Sequence, residues 1–195
     1  PGKPLRRTHY RKVRILDATG VAPFSTLEFP YNPVYERIFL NELAVYDRAG
    51  KAIATADPND CYVVDSPPDG MATHDRKLHV PVPSLAAGCT LTYTVTVVDR
   101  GASDGFPFAS HLLGSDRPVG LCGYYVLGPA ERLARAASES APRPVPFDGG
   151  VAWLATEPPV ARDEPYFWPA HWTHLAYVHL GDANASWTGD AIMLL

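Results

Sequence analysis

The chain has 195 residues, 46% of them hydrophobic, with a formal net charge of −4. Length and apolar content suffice for one well-filled core or two small ones. The nearly balanced charge excludes the global basic field that nucleic acid or an anionic membrane selects, and no apolar run approaches the roughly 20 residues of a membrane-spanning helix.

No signal peptide opens the chain. It begins at Pro1 rather than Met and stops in Ala191-Ile192-Met193-Leu194-Leu195. Both ends read as cuts in a longer multidomain polypeptide, so missing targeting signals leave the parent's location open. Proline is the strongest compositional signal: there are 20, about twice the usual frequency of roughly 5%. Proline terminates helices and cannot donate to a sheet ladder. Many loops and few long helices are expected.

In chain order, Arg6 to Arg14 is locally basic and reads as a solvated edge strand, because charge on an edge blocks unwanted pairing. A strand is expected over Tyr10 to Leu16 and another over Arg37 to Tyr46. Within the second, Ile38 and Leu40 are out of phase with Leu43 and Val45, so Asn41-Glu42 should hold a bulge or bend that restores phase. Asp47-Arg48-Ala49-Gly50-Lys51 reads as a hairpin turn closed by Gly50 at positive φ. Cys61 to Val64 and Lys77 to Val82 are short strands.

Leu91 to Val98 is the clearest element. Leu91, Tyr93, Val95 and Val97 share one face and three threonines the other, the pattern of a half-buried strand. Gly123 to Leu127, Val151 to Thr156 and His174 to Leu180 are further strands. Only Pro129 to Ser140 could form a helix. Residues 138–149, SESAPRPVPFDG, form a soft loop, too short to separate two domains. Short strands with turn signals between them argue for a mostly all-β antiparallel sandwich with at most one short helix, residues 1–195 forming a single domain.

The chemistry-bearing residues are few. Cys61, Cys89 and Cys122 make an odd count with no CxxC pair, so neither a disulfide framework nor a structural zinc site is expected. Cys122, within VGLCGYYVL, sits between residues that favour strand. A nucleophilic cysteine needs its thiolate stabilised, commonly at a helix N-terminus beside a histidine. No helix starts here, so Cys122 reads as a packed strand residue. His171 and His174 would converge on a metal only on a helix. The stretch after Pro169 favours extended chain, so no metal and no cofactor are expected. Trp153, Tyr166, Trp168, Trp172 and Trp187 crowd the C-terminal third and are the candidate binding residues. Such aromatics fill a core or an interface, or form a sugar-stacking platform when exposed.

The order of features resembles the uncharacterised β-sandwich domain that precedes transglutaminase-like domains in large bacterial exported proteins. The residues that carry the resemblance are Tyr10 to Gly20, Phe29-Pro30-Tyr31-Asn32-Pro33, Leu43 to Lys51, Val80 to Tyr93, and the stretch from Trp153 to Pro169. These look like that family's opening strand, its Gly-Lys hairpin, and its proline, leucine, glycine and alternating-strand signature. In such proteins the Cys-His-Asp catalytic domain follows this segment, so no catalytic residue is carried onto any position here. The resemblance implies a non-catalytic domain that supports or positions the downstream catalytic domain of the same polypeptide, or binds a protein or peptide. It further implies a periplasmic or extracellular parent. A carbohydrate-binding module using the C-terminal aromatics is the second reading, and a cryptic hydrolase the third.

Overall fold

The structure is a computed structural model that describes residues 5–65, 74–100, 109–127, 133–137, 140–160 and 176–182. Its contacts fall into two compact units, Pro1–Ala102 and Ser103–Leu195. Among the described residues every pair of strands runs antiparallel, and one isolated parallel bridge joins Ser115 and Val160. Helical structure among the described residues is limited to one-turn 3-10 helices at Ala18–Gly20, Ala22–Phe24 and Pro58–Asp60. None of the described helices is long and apolar enough to cross a membrane.

The described residues of the first unit form seven strands: β1 (Arg6–Arg14), β2 (Thr26–Tyr31), β3 (Glu36–Tyr46), β4 (Ala52–Thr55), β5 (Tyr62–Asp65), β6 (Arg76–Pro81) and β7 (Thr90–Asp99). One sheet has the order β1-β7-β3-β4 and the other β2-β6-β5. The alternation in β7 puts Leu91, Tyr93 and Val95 in the core, where they are 0%, 6% and 1% exposed. They meet Leu43 and Val45 of β3 and, from the facing sheet, Leu27 and Val80. The Phe29 ring meets Tyr93 edge-on, with centroids 5.7 Å apart. This is a two-layer β-sandwich, and each fully buried aliphatic side chain contributes about 1.5–3 kcal/mol.

The phase correction expected in β3 is present. Leu40 pairs with Val95 and Glu42 with Thr94, so Asn41 is the extra residue. Ile38 and Leu40 before the bulge, and Leu43 and Val45 after it, therefore all serve one core. The β3–β4 hairpin is also as expected. Gly50 has φ +81, and Asp47 Oδ1 accepts from the amides of Ala49 and Lys51 at 2.8 and 2.9 Å.

Strand β2 carries Pro30 and was not foreseen. It lies at the edge of its sheet, where a missing N–H on the open side costs no ladder bond. Asn32 then holds the turn into β3. Its Oδ1 accepts from Val34 N at 3.0 Å, its own N–H donates to Glu36 at 2.8 Å, and its Nδ2 donates to Asp75 at 3.0 Å.

The second unit contains β8 (Ala109–Leu113), β9 (Leu121–Leu127), β10 (Leu133–Ala137), β11 (Val145–Phe147), β12 (Gly150–Thr156) and β13 (Ala176–Asp182). These form the sheets β10-β13-β8 and β11-β12-β9. Leu113, Ala176 and Val178 of the first sheet pack with Val126 and Trp153 of the second. Two expectations are corrected in this unit. The candidate helix at Pro129 to Ser140 is strand β10 in its described part, paired with β13 from Leu133↔Asp182 to Ala137↔Val178. Pairing with a distant strand overrides a weak local helix preference. The stretch 138–149 holds β11 and a two-residue hairpin. Asp148 and Gly149 both have positive φ, 37 and 77, as a tight Asp-Gly turn requires.

Two substitutions on adjacent residues of β7 test the core assignment. Val95→Asp places an unpaired carboxylate in the sandwich and should cost more than about 4 kcal/mol or unfold the unit. Thr94→Asp, on the opposite half-exposed face, should cost less than about 1 kcal/mol. Urea titrations of both variants measure the difference, and equal costs would mean the buried face is misassigned. In the second unit, Trp153→Ala should cost about 3–5 kcal/mol by the same measurement.

Candidate functional site

Cys122 lies in the interior of β9, opposite Ala155 of β12. It is half-buried against the core of the second unit. A strand interior provides no helix terminus to stabilise a thiolate, the setting that activates a cysteine. Cys89 is buried in the first unit's core. Cys61 follows the Pro58–Asp60 turn, and its Sγ donates to the Asp57 carbonyl at 3.6 Å. Burial pushes the Cys61 thiol up, and the Asp60 and Asp57 carboxylates push it further. That is the reverse of an activated nucleophile. None of the three cysteines forms a disulfide.

Of the aromatic candidates, Trp153 is 1% exposed. It stacks on Tyr124 at 6.1 Å, and Tyr124 stacks on His111 at 4.5 Å. A ring buried this deeply has no face to offer a sugar; it fills the core. Tyr166, Trp168, Trp172 and Trp187 lie outside the described residues, as do His171 and His174. Among the described residues no group of three or more His, Cys, Asp or Glu side chains comes together.

The register brings together one polar row that periodicity alone did not reveal. Glu28, His79 and Tyr62 stand opposite one another across β2, β6 and β5. Tyr62 stacks on His79 at 4.9 Å, and His79 Nδ1 is 3.8 Å from Glu28 Oε1. Lys77 Nζ donates to Glu28 Oε2 at 2.9 Å. The hydrogen bond and charge of Lys77 hold the Glu28 carboxyl below its ordinary range. The order Glu, His, aromatic resembles a proton relay, but Glu28 is half-exposed and tied to a lysine. Surface pairs of this kind are screened by solvent and contribute little to stability. A shallow open hollow of about 520 Å³ lies nearby, lined by Arg11, Phe24, Ser25, Glu28 and Tyr93.

The outer face of β11-β12-β9 gathers several of the exposed large apolar side chains among the described residues. Leu121, Tyr125 and Leu127 of β9, Leu154 of β12, and Val145 and Phe147 of β11 are each between 40% and 65% exposed. The pairs Val145↔Ala152↔Tyr125 and Phe147↔Gly150↔Leu127 place them on one side of the sheet. The Tyr125 and Phe147 rings are 5.0 Å apart. Gly123 leaves room for them, since a Cβ there would come within 2.9 Å of Leu154 and Tyr125.

Burial raises the phenols of Tyr93 and Tyr124 above their ordinary value. The unfolded chain therefore releases those protons first. Stability from these groups is fully present below the unfolded value of about 10 and falls as pH rises through it. Urea titrations across this alkaline range should show a shallower loss for Tyr124→Phe than for the parent chain. An equal slope would place the Tyr124 hydroxyl in water.

No curated protein matches the chain. A crystal structure from Parabacteroides distasonis, described there as a "putative protease", is similar to it with a TM-score of 0.74 and 16% sequence identity. The match covers 90% of this chain and 36% of that one, so the chain spans about a third of the solved structure's length. Identity this low shows a shared fold alone. A family model matches residues 4–154, and the chain belongs to that family, a domain of unknown function with a solved structure (DUF3857).

Proposed function

We propose that the chain is a non-catalytic accessory part of a longer exported bacterial polypeptide. It supports or positions a transglutaminase-like or cysteine-protease-like domain of that polypeptide, or a peptide bound to it. The observation that carries this reading is the setting of Cys122. An activated thiol commonly sits at a helix N-terminus, where the dipole stabilises the thiolate. Cys122 is a half-buried residue in the interior of a strand, directly opposite Ala155.

Two further facts support it. The family is one of unknown function, and the solved neighbour described as a "putative protease" has room for more than this fold, which covers 36% of it. An exported parent would work in the periplasm or outside the cell.

The test is an assay of residues 1–195 for ammonia release from a glutamine peptide and for cleavage of a mixed peptide library. No turnover is expected from this chain, whereas the complete polypeptide should be active and lose activity when residues 1–195 are removed. Turnover by residues 1–195 that disappears in Cys122→Ala would overturn the reading.

A further inference from the structure

Strand β9 reads Leu121-Cys122-Gly123-Tyr124-Tyr125-Val126-Leu127 and is apolar or aromatic at every position but the glycine. Val151 to Ala155 in β12 is apolar throughout. A sheet solvated on one face shows alternation, whereas one covered on both faces reads as a continuous apolar run. β7 of the same chain, with threonine at alternate positions, is the internal contrast. In β9 and β12, one set of residues fills the core: Val126 and Trp153, with Cys122, Tyr124, Val151 and Ala155 packed against them. The other set forms the exposed face of Leu121, Tyr125, Leu127, Leu154, Val145 and Phe147. No charged residue stands on that face within the three strands.

We propose that this face docks a neighbouring domain of the same, longer polypeptide. The proposal rests on the accessory reading above and names the surface through which that role is exercised. Size separates a tethered neighbour from a free partner. Strands about 4.8 Å apart, rising about 3.3 Å per residue, give three strands a face of about 300 Å². Stable association of free proteins buries about 800 Å² on each partner. Domains joined in one chain make do with about 300–750 Å² on each side, because the tether keeps them at millimolar effective concentration. The face matches the second case. All six residues lie inside the segment 4–154 that defines the family, and the fold recurs in a solved chain of which it covers 36%. The six positions therefore lie within the family's segment, and the proposed occupant lies in chain outside it.

The experiment is side-chain footprinting of the complete polypeptide with a carbene or hydroxyl-radical reagent. Tyr125, Leu127 and Phe147 should be modified several-fold less than the exposed controls Tyr10 and Tyr62. The double variant Leu127→Lys, Phe147→Lys alters surface positions only, so its circular dichroism should match the parent's, and labelling of Tyr125 should rise. Full labelling of the face in the folded complete polypeptide overturns the proposal. So does protection that appears only at high protein concentration, which would indicate a second copy, or a reading frame that ends at Leu195. The accessory reading fails separately, if removing residues 1–195 leaves the parent's activity unchanged. Protection of the face could still be present in that case.

Discussion

A pleated strand sends successive side chains to opposite faces, and that single constraint organises both units of this protein. The spacing of apolar residues in a strand decides how many of its faces must be covered. In β7 the spacing is two, so one face is buried. Leu91, Tyr93 and Val95 then fix the positions of β1 and β3 alongside and of β2 and β6 opposite. A slip of one residue would turn the threonines inward. The extra residue Asn41 in β3 is a consequence of the same rule: the strand must change phase to keep Ile38, Leu40, Leu43 and Val45 in one core.

Strands with uninterrupted runs of β-favouring residues were legible in the sequence, and those with an internal proline or a helical local preference were not. β3, its bulge, β7 and the Asp47 hairpin could be read from residue spacing and turn chemistry alone. β2 and β11 were hidden by Pro30 and Pro146, which argue against a strand until both are known to sit on sheet edges. β10 was hidden because its local preference is helical and its partner β13 is about forty residues away. The Asp148-Gly149 turn was visible but obscured by the surrounding prolines. At the candidate site, the strand context of Cys122 was readable, as was the core role open to Trp153. The outer face of β11-β12-β9 was not recognised. Its signal, the lack of alternation in β9 and β12, acquires meaning only when the register shows which residues share a side.

The residues that carry the family resemblance are mostly the chemistry of turns. Asp17 caps the first 3-10 turn by accepting from Thr19 and Gly20. Asn32 holds the turn between β2 and β3 and Asp47 the hairpin. Gly88, with φ +87, donates to the Ile15 carbonyl at 2.6 Å, where any Cβ would strike Arg48. Side chains of this kind fix where each strand starts, and hence its register. They are half-exposed or exposed and bind backbone, so sharing them means sharing a fold. Membership in the family, one of unknown function, thus informs the fold rather than a reaction.

Two kinds of surface on this protein handle the risk of association in opposite ways. β1 is an edge strand of its sheet. The bonds Asp99 N–Leu5 O and Ile15 N–Cys89 O show that its odd-numbered residues face β7. The backbone groups of Arg6, Thr8, Tyr10, Lys12 and Arg14 therefore line the open side, and three of those five side chains are cationic. Charge of one sign along an edge repels a second copy of the same edge. The face of β11-β12-β9 has no such guard within its strands. An uncharged apolar surface that is too small for a free dimer stays monomeric until a tether raises the local concentration of its partner. With the docking proposed above, repulsion at the edge and an uncharged apolar face would together direct association toward the sheet face and away from strand addition.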